Sequence, residues 1–557
     1  MNVIEKAYGA AAPRLLVLSA LVSALCGCLL NFQSVAATWP ATDNLPAVCR
    51  MLEDSCLAGD FFTNASSGLT PRLPYLYFLS GLAWAAGHGI AGGLPVVKAL
   101  LMALLPALFA VVVVLSAMTH ASSRNLAGPA ALLAAIAAPV IAVVFQEELG
   151  ALLSVAWWKP LSSDATPHNL SLVLTLAGFC VLAFGARVAG AALVFAGGIF
   201  HPAVGLFAAT FCCILLCSSE SSQDARRFLV AGLGASLAAA MLVGVVFDSG
   251  GVLSAAEFVR IYAAEAHPSH YLPSRFGSLT DLPWHVPFLA LSLGLVAATA
   301  VLYWLGSAAW LNALLAFVAY VGAVALQFLF VEFTPVKLVA ALGPSRFTMF
   351  GPWFLFVFLL LAIAKSVDGN RLVWKLTGAC ERGLAFIRWR HLGLASLLPA
   401  AFVVSYASRP AGLELPDQDS RELARFAMQQ TRKEDVFALP FGAPRVEFPL
   451  VTGRAVFHGN GFPFSERNFA EWDARNAFIN GGSVEIAGYP GTWIGQKYAR
   501  HYRSLKAADF LRAASAYRLD WVVLESRYAG GFANCRAGFQ SAKYRAYSIG
   551  ELKACGG

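Results

Sequence analysis

Apolar runs of eighteen or more residues recur along this chain from Leu15 to Ala407, and no other feature limits the fold so strongly. Each run is long enough to cross a hydrocarbon core about 30 Å thick, where every backbone N–H and C=O must be satisfied within the segment. Helices meet that demand, so the chain is expected to be an α-helical polytopic membrane protein. The composition agrees, with 58% hydrophobic and 13% charged residues.

Eleven spans are expected: Leu15 to Val35, Leu73 to Gly92, Leu94 to Met118, Leu126 to Phe145, Asn169 to Phe184, Val188 to Cys217, Phe228 to Phe247, Val286 to Leu305, Ala309 to Val331, Phe347 to Ala364, and His391 to Ala407. The first run follows Lys6 and Arg14 and reads as an uncleaved span rather than a secretion signal. Val188 to Cys217 is long and is interrupted at Gly197-Gly198 and His201-Pro202, which leaves one kinked span or two half-helices open. A histidine there is read as a packing residue.

Lys365, Arg371, Lys375, Arg382, Arg388 and Arg390 form the densest basic cluster between spans, which places it and the N-terminus on the cytoplasmic side. An odd number of spans then puts the C-terminal end outside. Residues 1–407 read as a transmembrane domain with external loops 38–72 and 248–285, and residues 408–557 as a soluble external α/β or α+β domain. Gln146-Glu147-Glu148 and Trp157-Trp158-Lys159-Pro160 fall on the cytoplasmic side in this topology. The formal charge of +8 does not indicate nucleic acid, because roughly 20 of the 40 Lys and Arg lie beyond Arg409, mixed with about 15 acids.

In the tail, Arg421 to Gln430 reads as a helix and Val436 to Pro440 and Trp521 to Leu524 as buried strands. Phe462-Pro463-Phe464, Glu471 to Asn476 and Tyr489 to Trp493 concentrate aromatics with acids and Arg, suited to sugar stacking or to an ordinary core. No Gly-rich phosphate loop, nucleophile elbow or zinc spacing occurs there. Catalysis by the tail alone is not expected.

Cys535 and Cys555 are able to pair in an oxidising compartment. Cys49 and Cys56 are not expected to, because seven helical residues would separate their Cα atoms by about 10 Å. The remaining membrane cysteines read as packing residues.

Asp43 begins the first external loop a few residues after the first span, at the membrane surface. Leu45, Val48, Cys49, Leu52 and Cys56 then recur at helical spacing, with Arg50, Glu53 and Asp54 on the polar side of a short interfacial helix. Asp60 and Arg72 follow; they either pair with each other or join Asp43 in a site. The segment from Asp248 to His285 gathers Glu257, Arg260, Tyr262, Glu265, His267, His270, Tyr271, Arg275 and His285, a set suited to an anion or a sugar. Lys337 and Arg346 flank a short turn with Glu332 and suit phosphate contact or ion pairing. A divalent metal is compatible with these groups but not indicated, since the spacing lacks a closed zinc signature.

A first span, an acid at the start of a long external loop with an interfacial helix, many further spans and an external C-terminal domain resemble the layout of GT-C glycosyltransferases. Asp43-Asn44-Leu45-Pro46, Asp60-Phe61-Phe62, the run His267 to Ser274 and the tail more closely resemble a bacterial family of multi-spanning membrane proteins of unknown function. The GT-C resemblance implies a bacterial inner-membrane enzyme that transfers a sugar from a polyprenyl-phosphate donor to an external glycan, lipid or protein acceptor. Asp43 would inherit the catalytic role, with Asp60 second, although the adjacent acidic pair common in such enzymes is absent at Asp43-Asn44. Arg72, Arg260, His267, His270, Tyr271, Arg275, Lys337 and Arg346 would bind substrate. A flippase or transporter of lipid-linked saccharide, or a non-catalytic partner in polysaccharide assembly, would use the same layout.

Overall fold

The computed structural model describes the whole chain except residues 1–10, 33–43, 67–69, 87–89, 121–123, 163, 218–222, 248–250, 368–369, 410–414, 446, 460, 464, 482–490 and 556–557. It divides into two compact units, one formed by Met1–Ser34, Pro95–Val246 and Ser269–Arg409, the other by Val35–Leu94, Phe247–Pro268 and Pro410–Gly557.

The first unit is helical. Among the described residues seven helical stretches are long and apolar enough to cross a membrane: Ala12–Asn31, Gly93–Thr119, Pro129–Gln146, Leu229–Val246, His285–Trp304, Ala309–Phe333 and Lys337–Ser366. The chain is therefore a multi-pass membrane protein. Leu293, Val318 and Leu397 point outward and are more than half exposed, as lipid-facing side chains are. Inside, Phe109 stacks on Trp353 at 4.3 Å and Phe211 on Phe350 at 4.5 Å, an aromatic interior held by close packing rather than by exclusion of water.

The stretch expected as one span or two half-helices is two helices, Arg187–Phe200 and Pro202–Leu216. His201 between them is extended and caps the second helix, its Nδ1 accepting from the Val204 N–H at 3.3 Å, while Pro202 cannot continue the first. The chain folds back so tightly that a Cβ on Gly205 would lie 2.8 Å from the Cα of Gly198. Only glycines permit that approach.

Contacts at the helix ends correct the expected sidedness. Asn31 donates to Gln146 at 3.2 Å, Arg409 to the Phe32 carbonyl at 2.5 Å, Trp353 to the Pro160 carbonyl at 2.8 Å, and His270 to the Ala156 carbonyl at 2.9 Å. Residues 146–160 thus sit at the same end of the helical unit as Asn31 and His270. His120 meets the Leu215 carbonyl at 2.9 Å at the opposite end, where Asn312 also donates to the carbonyls of Ile214 and Cys217 at 2.7 Å. The described helix Leu73–Ala86 belongs to the second unit rather than to the helical one. The break at His201 adds a reversal.

The second unit carries a five-stranded sheet in the order β2-β1-β3-β5-β4, where β1 is Val436–Ala438, β2 Ala455–Val456, β3 Trp521–Glu525, β4 Phe539–Gln540 and β5 Tyr544–Ser548. β1 pairs parallel with β2 and β3, and β5 runs antiparallel to β3 and β4. Side-chain alternation along the strands gives the sheet two buried faces. Val436, Ala438, Val522 and Leu524 pack against Ile479, Tyr502, Phe510 and Leu552 on one side. Phe437, Leu439 and Val523 pack against Leu423, Phe426 and Ala427 of the helix Gln418–Gln430 on the other. The result is an α/β arrangement of three layers.

Cys535 and Cys555 form a disulfide, with Cα atoms 5.1 Å apart. Cys49 and Cys56 form one too, at 5.8 Å, against expectation. The interfacial helix ends at Leu52, Glu53 is extended, and Leu57 adopts φ 53°, so the chain turns back instead of rising a further turn.

Candidate functional site

Val155 and Trp158 form an antiparallel bridge around Ala156 and Trp157, which have φ of 53° and 68°. Two consecutive positive φ angles define a hairpin turn that usually carries Asn-Gly; with a Cβ on both residues it costs on the order of 1–2 kcal/mol each. Tertiary contacts hold it in place. Val155 and Ala156 pack with Phe276 and Val324. The indole of Trp157 lies so close on Gly277 that a Cβ there would meet Nε1 at 1.6 Å. The carbonyl of Ala156 accepts from Nδ1 of His270. Strain held in this way commonly marks a functional site.

The turn presents Trp158 as a shared surface. Its ring lies 5.2 Å from His270, 5.6 Å from His168 and 5.4 Å from the guanidinium of Arg346, and His168 stacks with His201 at 4.2 Å. Arg346 is buried in the short 3-10 segment Pro344–Phe350, donates to the Leu342 carbonyl at 2.9 Å and to the Tyr271 hydroxyl, and lies over the Tyr271 ring at 5.2 Å. Gly343, with φ 59°, makes room for that ring. Gln327 ties the pieces together, donating to the Tyr271 carbonyl at 2.8 Å and accepting from the Ser345 N–H at 3.2 Å, while Ser345 Oγ donates to the His270 carbonyl at 2.7 Å.

Because its partner is a carbonyl, Nδ1 of His270 carries a proton. Burial, and then the Arg346 charge, push its pKa down to about 4, so the ring is neutral and Nε2 is an acceptor. A fixed guanidinium, a neutral imidazole and aromatic faces at one end of a lipid-embedded bundle suit a phosphoryl group and a sugar ring.

The other expected site residues are dispersed. Asp43 lies outside the described residues. Asp60 is buried in the second unit, where Oδ1 accepts from Thr63 N–H at 2.7 Å and Oδ2 from Val456 N–H at 3.1 Å. It starts the helix Phe61–Ser66 and ties it to β2. Burial raises its pKa against the pull of those two N–H groups and of Arg475. Asp60 does not pair with Arg72, which donates to Asn44 at 3.1 Å. Arg260, on the π-helix Val259–Ala266, donates to Asp473 at 2.8 Å and lies 3.9 Å from Glu265, so carboxylates already occupy it. His267 packs edge-on against Tyr262 and Phe462. Arg275 ends the turn Pro273–Arg275, beside Ser274, whose N–H donates to Glu332 at 3.0 Å; Lys337 opens the helix Lys337–Leu342.

Of the expected residues, the structure thus brings together His270, Tyr271 and Arg346. Sequence reasoning missed Trp158 and His168 as members of this group, and favoured packing over a cavity-facing role for His201. Trp157-Trp158 next to a histidine at 168 would have been the signal, had the segment been placed at the correct end. In the tail, Trp472 packs on Phe462 at 4.8 Å, and Arg475 lies against the rings of Phe61, Phe457 and Tyr517, so much of that aromatic concentration is core. Among the described residues no group of three or more His, Cys, Asp or Glu is placed to hold a metal.

No family model and no curated protein matches the chain. Among solved structures it is similar to an oligosaccharyltransferase of Archaeoglobus fulgidus in complex with Zn and sulfate, with 11% identity and a TM-score of 0.36 over 92% of this chain and 68% of that one. That likeness is too distant to carry a residue's role from one chain to the other.

Proposed function

We propose that the chain is a membrane glycosyltransferase that moves a sugar from a polyprenyl-phosphate-linked donor to an external glycan, lipid or protein acceptor. The observation that carries this reading is the buried Arg346 guanidinium, set between Tyr271 and Trp158 beside the neutral His270. A departing lipid phosphate needs its charge stabilised more than it needs a covalent intermediate, and a fixed planar donor supplies that. Asp43 remains the proposed base, on the strength of the GT-C resemblance.

The topology that accompanies this reading keeps eleven crossings, with an inner N-terminus and an outer tail at a bacterial inner membrane. The pair Arg187–Phe200 and Pro202–Leu216 counts as two crossings and Leu73–Ala86 as none, which brings 146–168 to the outer side with 268–285. The break at His201 also favours a second reading, passage of a lipid-linked saccharide through the helical unit.

Purified protein supplied with a polyprenyl-phosphate sugar and a glycan acceptor tests the enzyme. Arg346→Lys keeps the charge without the planar fork and should lower kcat/KM at least tenfold. Asp43→Asn should abolish transfer, and unchanged turnover would remove Asp43. Absence of transfer by the wild type, together with movement of a labelled saccharide lipid across proteoliposomes, would replace the enzyme with the transporter.

A further inference from the structure

The second unit holds an arrangement that the proposed transfer reaction does not use. Arg445 follows β1, is only 2% exposed, and spends its donors on the Pro440 carbonyl at 3.2 Å and, at 3.4 Å, on Asn480 Oδ1. Its Nη2 is buried with no hydrogen-bond partner, and no carboxylate pairs with it among the described residues. A buried cation in that condition is costly, because the charge has left water and part of its donor set goes unmet.

His458 follows β2 and shows the same deficit: both ring nitrogens are buried without a partner. Burial and the nearby charges of Arg445 and Arg475 push its pKa down to about 3. The ring is thus neutral and offers one N–H. Its face lies 5.8 Å from Trp472. Tyr498 completes the group, 5.4 Å from Phe441, which in turn lies 5.5 Å from the Arg445 guanidinium.

The position of these groups follows from the sheet. From β1 the chain passes to β2 on one side and then to β3 on the other, and all three strands run parallel. Ligands of open α/β sheets sit outside the carboxyl ends of the strands, where such a reversal opens a crevice. Arg445 and His458 both emerge from carboxyl ends, Arg445 after β1 and His458 after β2. Tyr502 marks the edge, its hydroxyl 3.1 Å from the Ala438 carbonyl and 2.8 Å from that of Val523.

We propose that Arg445 and His458 form a binding site for an oxoanion, the phosphoryl group or carboxylate of a small acidic ligand, at the carboxyl edge of this sheet. Arg445 meets the oxoanion through its unpartnered Nη2 and His458 through its one N–H.

Hydrogen exchange on the full-length protein, with inorganic phosphate and glucuronate as separate probes, tests the site without any variant. One probe should saturably slow exchange at residues 439–445 and 457–459. Phosphate alone identifies a phosphoryl ligand, and glucuronate alone a sugar acid. Calorimetric titration should then show affinity at least tenfold weaker in Arg445→Lys and in His458→Gln, each checked for folding by its melting curve. Failure of both probes to slow exchange overturns the proposal, and so does wild-type affinity in the folded variants.

Discussion

His270 donates from Nδ1 to the carbonyl oxygen of Ala156, 2.9 Å away and 114 residues earlier in the chain. One hydrogen bond thereby fixes both the tautomer of the imidazole and the left-handed turn that presents Trp158. It also gives the helical unit a dependence on pH. In the unfolded chain the ring takes its proton near 6.5, in the fold near 4, so between those values the unfolded chain binds more protons. The stability at stake is intact above pH 6.5 and is lost as pH falls toward 4. Because part of His270 stays exposed, the loss is set at about 1–2 kcal/mol, below the full linkage value. His270→Gln keeps an N–H for Ala156 and cannot titrate. Its melting temperature should fall less than the wild type's between pH 7.5 and 4.5, and parallel falls would refute the assignment.

Gly277→Ala probes the same turn from its other side. The new Cβ would overlap the Trp157 indole, and moving a packed ring costs about 2 kcal/mol. The variant should melt several degrees lower and bind a polyprenyl-phosphate donor less tightly. Wild-type melting would mean that the indole has room to move.

Asp60→Asn separates an anchoring role from a catalytic one. An amide can still accept from Thr63, but its NH2 group would then face the Val456 N–H and leave a buried donor unmet, at about 1–3 kcal/mol. Faster hydrogen exchange around Val456 is expected. Lost turnover without that change would instead restore Asp60 as a reacting group.

Thiol labelling of the denatured, unreduced protein should attach seven tags, because seven of the eleven cysteines are free. Reduction should raise the number to eleven. Replacing Cys49 and Cys56 with serine should cost about 2.5 kcal/mol by loop-closure entropy. Nine tags before reduction would show that one bridge does not form.

The sequence made the helical class plain because runs of apolar residues are a statement about solvent, and solvent decides class. It misplaced residues 146–160 because hydropathy reports composition and not reversals. Leu73 to Gly92 has the composition of a span, yet its described helix Leu73–Ala86 belongs to the second unit, and Val188 to Cys217 leaves one kinked span or two half-helices open where Pro202 starts a second helix. The strands at Val436 and Trp521 were legible from their branched and aromatic residues, whereas β2, with two residues, has no period to read. Arg346 was legible as a candidate from its place beside a short turn. Its partners Trp158 and His168 come from segments far away in sequence, which spacing cannot bring together.

The two bridges, Cys49–Cys56 and Cys535–Cys555, span 7 and 20 residues and do not interlock. Every unpaired cysteine lies in the helical unit. In order of synthesis the second unit presents Cys49 and Cys56 first and no further thiol until Cys535 and Cys555. Pairing each cysteine with the next to appear in that unit is therefore the native pairing, so its two rings close one after the other without exchange between them.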